Sequence, residues 1–227
     1  MSKAVGGWKR AVKRMVRRFV GDPPDLLEEL PDAPALFARY RHMAGWGHRR
    51  VPGGWEYEGD FYPDYLTLGG NSVAIRRVAL RYCGGRGLDV GAGYWPLPGS
   101  LPIDTVAGPG LANRIEDVPP ASQDYVFSSH CLEHIAGWRE ALDLWVSKLR
   151  PGGTLFLYLP HPSCGLWRVD NPAMRGIHAW TPEFDVVRAA LIERGLSIVE
   201  ADEGPDHFFS FFVVGRTAAD GGAGAGS

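Results

Sequence analysis

Arg86-Gly87-Leu88-Asp89-Val90-Gly91-Ala92-Gly93 decides how this chain is read. Arg86–Val90 has the length and apolar character of a buried strand, and Gly91 and Gly93 turn the chain directly after it. Glycines at such a place let backbone N–H groups come close to a ligand that a Cβ would block. In doubly wound sheets ligands bind just outside the carboxyl ends of the strands. A dinucleotide site would continue GxGxxG into a long helix whose N-terminus holds pyrophosphate. Here Tyr94-Trp95-Pro96-Leu97-Pro98-Gly99 follows, which cannot start that helix at once. The turn therefore suits a ligand without phosphates.

Outward from this turn the chain alternates between strand and helix patterns. A helix is expected over 71–83, strands at 101–104 and, weakly, 113–116, then a strand at 124–128 and a helix over 132–148. Pro151-Gly152-Gly153 reads as a turn before a strand at 154–159. Thr181-Pro182-Glu183 reads as an N-cap, an N1 proline and the start of a helix running to Arg194, ended by Gly195. Two last strands, 197–202 and 208–215, are joined by a short Gly-Pro turn that allows antiparallel pairing. Such alternation argues for a mostly parallel sheet covered on both faces.

Asp104 ends the strand after the glycine turn, where a carboxylate can accept both hydroxyls of a ribose. Glu116-Asp117 precede Val118-Pro119-Pro120, so an acid able to accept an exocyclic amine lies beside an apolar edge. A single acid of this kind is more often just an exposed loop residue. Two at successive strand ends after a glycine turn point to a site. The run GLDVGAG, PIDTVAG, EDVPPASQDYVFSSHCLEHI and LRPGGTLFLYLPH, over about 85 to 162, resembles the class I S-adenosylmethionine (SAM) dependent methyltransferases. It is most similar to those with a DxPxxxxSFDxVxxxHxLEH segment and a LxPGGxLxxxxPH segment. The resemblance implies a Rossmann-like, doubly wound, mostly parallel seven-stranded sheet with a C-terminal antiparallel β-hairpin. It implies SAM as cofactor, with Asp89, Gly91, Ala92 and Gly93 at its methionine end and Asp104 on its ribose. Asp117 and Val118 would take the adenine, and Ser128, Ser129 and His130 would lie beside the methionine and sulfonium.

Two departures stand out. Ten residues separate Gly93 from Asp104, so the usual helix is shortened and Tyr94 and Trp95 are placed to touch the cofactor. Ser128-Ser129-His130 replaces the Asp-Pro-Pro-Tyr type of motif used on nucleobase and amide nitrogens, which argues against DNA-base methylation. Glu133 and His134 are read mainly as braces of the following helix. On the acceptor side, His161 follows the fifth strand, and the segment to Thr181 carries Trp167, Arg168, Asp170, Asn171, Arg175, His178 and Trp180. A segment this dense in polar and aromatic groups suits an acceptor lid. His130, His161 and His178 are the candidate bases, His161 first, because imidazole titrates near neutrality. For each, a structural hydrogen bond is at least as good a reading, and methyl transfer can run on positioning alone. Asp60, Tyr62 and Asp64 could complete the acceptor pocket. No Cys/His or Asp/His group at ligand spacing calls for a metal.

The acceptor expected is a small molecule or glycan, taking the methyl group on oxygen or nitrogen. A non-catalytic SAM-binding or scaffold protein of the same fold and a nucleic-acid methyltransferase are the other readings. A formal net charge of -2 gives no bulk attraction to nucleic acid. Residues 1–20 nevertheless hold Lys3, Lys9, Arg10, Lys13, Arg14, Arg17 and Arg18 and no acid, with Trp8, Val12, Met15, Val16 and Phe19 at helical spacing. This basic amphipathic helix could rest weakly on an anionic membrane, bind an acidic partner or dock on the body of the protein. Residues 21–68 read as an irregular aromatic-rich segment with a short helix near 32–43, residues 69–216 as the methyltransferase domain, and 217–227 as a flexible tail. Three widely spaced cysteines suit a reducing, cytoplasmic setting. The sequence leaves the oligomeric state open.

Overall fold

A computed structural model describes residues 49–63, 66, 71–93, 95–104 and 113–219. The expected helices at 1–20 and 32–43 and the tail beyond 219 lie outside the described residues, as do Asp64 and Tyr94.

The larger sheet has six strands: β4 (Gly87–Val90), β5 (Leu101–Ile103), β6 (Gln123–Ser129), β7 (Leu149–Pro160), β8 (Ser197–Asp202) and β9 (Ser210–Arg216). Their order is β5-β4-β6-β7-β9-β8. The pairs β4–β5, β4–β6 and β6–β7 are parallel. β9 is antiparallel to both β7 and β8. Three helices flank the sheet: α1 (Asn71–Ala79), α2 (Trp138–Lys148) and α3 (Phe184–Glu193).

Side chains alternate across a strand, and β7 uses the alternation to build two different faces. Phe156 and Tyr158 point to one side, with Tyr125, Phe127 and Phe212, and meet Val73, Ile75 and Ala79 of α1. Leu155, Leu157 and Leu159 point to the other, with Val126, Phe211 and Val213, and meet Leu142 and Trp145 of α2 and Val187 and Leu191 of α3. One face is thus largely aromatic and the other largely aliphatic. A strand buried on both faces is a continuous apolar run, as LFLYL is here.

Several expectations are corrected. The seventh strand, at 113–116, is instead a 3-10 turn over Ile115–Asp117. Only Ile115 of that turn is buried, and a single apolar residue cannot hold a strand against the sheet. The helix expected from 132 is broken: Leu132–His134 form a 3-10 turn, and α2 begins at Trp138 after Gly137. Thr181 does not cap α3, whose N-cap is Glu183 with no side-chain cap bond. The Thr181 hydroxyl accepts the Val169 N–H instead. Pro151-Gly152-Gly153 is a kink within β7, since pairing jumps from Leu149 to Thr154 while β6 advances only from Gln123 to Tyr125.

The segment read as irregular also holds regular structure. Arg49–Val51 (β1), Gly54–Tyr57 (β2) and Asp60–Pro63 (β3) form an antiparallel three-stranded sheet. Each connection is two residues long. Glu58 and Gly59 both have positive φ, 50° and 83°, the type I′ geometry that matches strand twist. Tyr62 is buried against Phe209, with ring centroids 5.5 Å apart.

Candidate functional site

The carboxyl ends of β4, β5, β6 and β7 place Gly91, Asp104, His130 and His161 along one edge of the sheet. Backbone pairing continues one residue past these strands. Gly91 N–H donates to Ile103 O (2.8 Å), His130 N–H to Tyr158 O (2.9 Å) and His161 N–H to Phe209 O (2.6 Å). Gly91, His130 and His161 are therefore held by the ladder itself.

At the β4 end, Asp89 is 1% exposed and its Oδ2 accepts the Leu97 N–H at 2.7 Å. The shortened connection after the glycine turn folds back onto this carboxylate, and Ser72 Oγ anchors it by donating to Trp95 O (2.6 Å). Asp89 Oδ1 has no hydrogen-bond partner among the described residues. Burial pushes the Asp89 carboxyl up to about 7, against the opposing pull of the Leu97 N–H. Gly91 (φ 80°) and Gly93 (φ 54°) both lie in the left-handed region. A Cβ at Gly91 would meet the side chain of Cys131, 2.6 Å from Sγ, so this glycine is required first by packing. A Cβ at Gly93 meets nothing within 4 Å. Gly93 N–H donates to Asp104 Oδ2 at 2.8 Å, tying the glycine turn to the carboxylate at the end of β5. Ala92 is buried beside them.

Asp117 is exposed and Val118 buried, at the end of the 3-10 turn. The buried Lys148 ammonium donates to Val118 O at 2.8 Å and fixes that turn, a link across thirty residues with no local signature. Ser128 and Ser129 differ. Ser128 Oγ donates to Val90 O (2.9 Å) and staples β6 to β4. Ser129 Oγ is buried without a partner among the described residues.

The three histidines are all engaged by the protein. His130, at φ 48°, has Nε2 2.8 Å from Ser210 Oγ. Ser210 itself donates to Phe208 O, so it accepts the His130 Nε2–H, and Nδ1 faces Glu133 at 3.6 Å. Trp167 stands edge-on to the His130 ring at 4.8 Å. Burial, with His178 and His134 nearby, drives the His130 pKa well below its ordinary value, so the ring is neutral. His161 Nδ1 accepts the Ser163 N–H at 3.1 Å, which leaves the proton of a neutral ring on Nε2. His178 is buried, with Nδ1 2.6 Å from Trp167 O, and lies beside Glu133 and His134. Tyr62 supports the acceptor-side segment from behind, its hydroxyl accepting the Gly165 N–H at 3.1 Å. Asp60 is half-buried in β3.

No family model matches the chain, and no curated protein matches its sequence. Solved structures do share its fold. A Burkholderia thailandensis 1,6-didemethyltoxoflavin-N1-methyltransferase, with bound 1,6-didemethyltoxoflavin and S-adenosylhomocysteine, is 16% identical with a TM-score of 0.50, covering 87% of this chain and 93% of that one. SAM-dependent methyltransferases from Mesorhizobium loti (16% identity, TM-score 0.46, 65% and 98% covered) and Archaeoglobus fulgidus (15%, 0.46, 63% and 91%) are also similar. The mixed α/β, mostly parallel sheet is thus one that SAM-dependent methyltransferases use. No helix among the described residues is long and apolar enough to cross a membrane.

Proposed function

We propose that this chain is a SAM-dependent methyltransferase acting on an oxygen or nitrogen atom of a small molecule or glycan. The observation that carries the reading is the clamp at the carboxyl edge of the sheet, where Gly93 N–H is bound to Asp104 Oδ2 beside the buried Asp89. The residues fit the cofactor. Asp89 Oδ1 and Ser129 Oγ are buried polar atoms without protein partners among the described residues, and such atoms ordinarily find one. A cationic amine at the methionine end would satisfy Asp89, and ribose hydroxyls would donate to Asp104. Val118 would give the adenine an apolar edge and Asp117 an acceptor. Ala92 belongs to the same turn in this reading. When bound, SAM supplies an electrophilic methyl group on a positively charged sulfonium.

The chain's own contribution is to hold the acceptor in line with that methyl group. Positioning of this kind is a large catalytic effect. His130 is neutral and bonded to Ser210, His161 presents Nε2–H, and His178 is directed to Glu133 and His134. We infer that none of these rings has to act as a base. Trp167 and the segment after β7, braced by Tyr62, would enclose the acceptor. The fold neighbour with bound 1,6-didemethyltoxoflavin and S-adenosylhomocysteine supports the small-molecule reading. Calorimetric titration with S-adenosylhomocysteine tests the reading. Saturable one-to-one binding that Asp104→Ala weakens is expected, and no binding by the folded chain would refute it.

A further inference from the structure

Beside His130, three potential metal ligands converge. Glu133 and His134 lie in the 3-10 turn after β6, and His178 lies in the segment between β7 and α3. The Glu133 side chain is completely enclosed, and neither of its oxygens has a hydrogen-bond donor among the described residues. The neighbouring nitrogens, His130 Nδ1 at 3.6 Å and His134 Nε2 at 3.8 Å, are beyond hydrogen-bond distance. A carboxylate so enclosed is strongly unfavourable unless a cation or a proton neutralises it.

Both imidazoles are oriented as metal-ligating rings usually are. His134 Nδ1 lies 2.9 Å from Ile177 O, and His178 Nδ1 lies 2.6 Å from Trp167 O. A ring that donates Nδ1–H to a carbonyl carries its lone pair on Nε2, and such outer bonds fix the tautomer and direction of a ligating histidine. One ligand atom from each of Glu133, His134 and His178 can be chosen so that all lie within 4.8 Å of one another. Tetrahedral zinc needs ligand atoms about 3.3 Å apart, from bond lengths of about 2.0–2.2 Å. His134, 38% exposed, is the ring at the rim of this group.

We propose that Glu133, His134 and His178 bind a divalent transition-metal ion of the zinc type. Two imidazoles and one carboxylate make a borderline nitrogen and oxygen set suited to zinc, and too rich in nitrogen for magnesium or calcium. The ion sits where two chain segments meet. Glu133 O already accepts the Ala179 N–H at 2.7 Å, so the turn after β6 and the segment carrying His178 are in contact without metal. The ion clasps these segments and holds Trp167, whose carbonyl carries His178, against His130. Its role is to position the acceptor-side segment. The expectation of a metal-free protein came from local spacing, and forty-three residues between His134 and His178 leave no local signature.

The test uses the full chain after dialysis against metal-free buffer. Titration with Zn²⁺ followed by calorimetry, and with Co²⁺ followed by visible absorption, should show one equivalent bound, with a Co²⁺ band of low-coordinate type. His134→Ala, at the exposed rim, should fold normally and weaken Zn²⁺ binding by about 10–100-fold. His178→Ala and Glu133→Gln should weaken it at least as much. A folded wild-type chain that binds neither ion overturns the proposal and assigns the enclosed carboxyl a proton instead. Binding unchanged in both His134→Ala and His178→Ala also overturns it. S-adenosylhomocysteine affinity, measured on the same samples, separates this inference from the methyltransferase reading. A chain that binds S-adenosylhomocysteine but no metal refutes only the clasp.

Discussion

Two buried carboxylates stand at the same edge of the sheet, and their surroundings differ. Asp89 lies near the end of β4, has a backbone donor from Leu97 on one oxygen, and is pushed up to about 7. Glu133 follows β6, has no donor among the described residues, and is pushed up to about 8. The Asp89 side is assembled within sixteen residues, from Asp89 to Asp104, by a turn that glycines allow. The Glu133 side is assembled from segments more than forty residues apart. The first arrangement is preformed by local chain geometry, and the second depends on the segment after β7 being docked. Preformed backbone suits a cofactor shared across a fold, whereas a docked segment suits an acceptor that varies between proteins.

The glycine turn gives the largest expected effect. Gly91→Val combines a β-branched residue at φ 80° with overlap on Cys131. It should abolish S-adenosylhomocysteine binding and lower stability by about 3 kcal/mol or more. Wild-type calorimetry and an unchanged urea midpoint would show that the turn is not the rigid half of the comparison. Asp89→Asn comes next. Because the folded-state pKa of Asp89 is raised, its contribution is fully present below about pH 4 and is lost as pH rises through about 7. The Asn variant should therefore gain on the wild type by up to a few kcal/mol between pH 5 and 8 without ligand. Parallel pH dependences of the two urea midpoints would contradict this.

Asp104→Ala should weaken S-adenosylhomocysteine binding by ~1.5–3 kcal/mol, the scale for hydrogen bonds to a charged group. Unchanged affinity would remove the ribose assignment. On the other side of the comparison, His161→Ala should leave turnover within about threefold, since Ser163 already occupies Nδ1. A collapse of turnover that follows the titration of an imidazole would make His161 a base after all. The smallest effect belongs to residues 1–20. Deleting them should leave S-adenosylhomocysteine affinity unchanged and reduce co-sedimentation with anionic vesicles, where each basic residue contributes about 1 kcal/mol. Loss of cofactor affinity on deletion would join this segment to the catalytic body.

What the sequence disclosed and what it hid divide along chain distance. The strand into Gly91-Ala92-Gly93, Asp104 at the next strand end, and the Leu-Phe-Leu-Tyr-Leu run are patterns of neighbouring residues, and all are found where expected. The sheet at 49–63 was also within reach, because Pro52-Gly53 and Glu58-Gly59 each separate short aromatic strands by two residues. The density of turn formers concealed it. Thr181 looked like a cap because Ser and Thr cap helices in general, yet a contact with Val169 claimed its hydroxyl. The fold at 113–116 failed as a strand because a strand needs a partner, and pairing is not written in the strand itself.

By itself, the sequence determined the alternation of strands and helices, the turn after β4 and the acids that follow it. Backbone periodicity and glycine conformation act over a few residues, so they are legible in order along the chain. Only the tertiary structure decided that Ser128 is stapled to Val90 while the buried Ser129 hydroxyl has no partner among the described residues, that Lys148 holds Val118, and that His178 arrives beside Glu133 and His134. Each of these depends on which side chains the packed sheet brings together. Burial then sets their charge, since the same carboxyl that would ionise near pH 4 in water is pushed up to about 8 at Glu133.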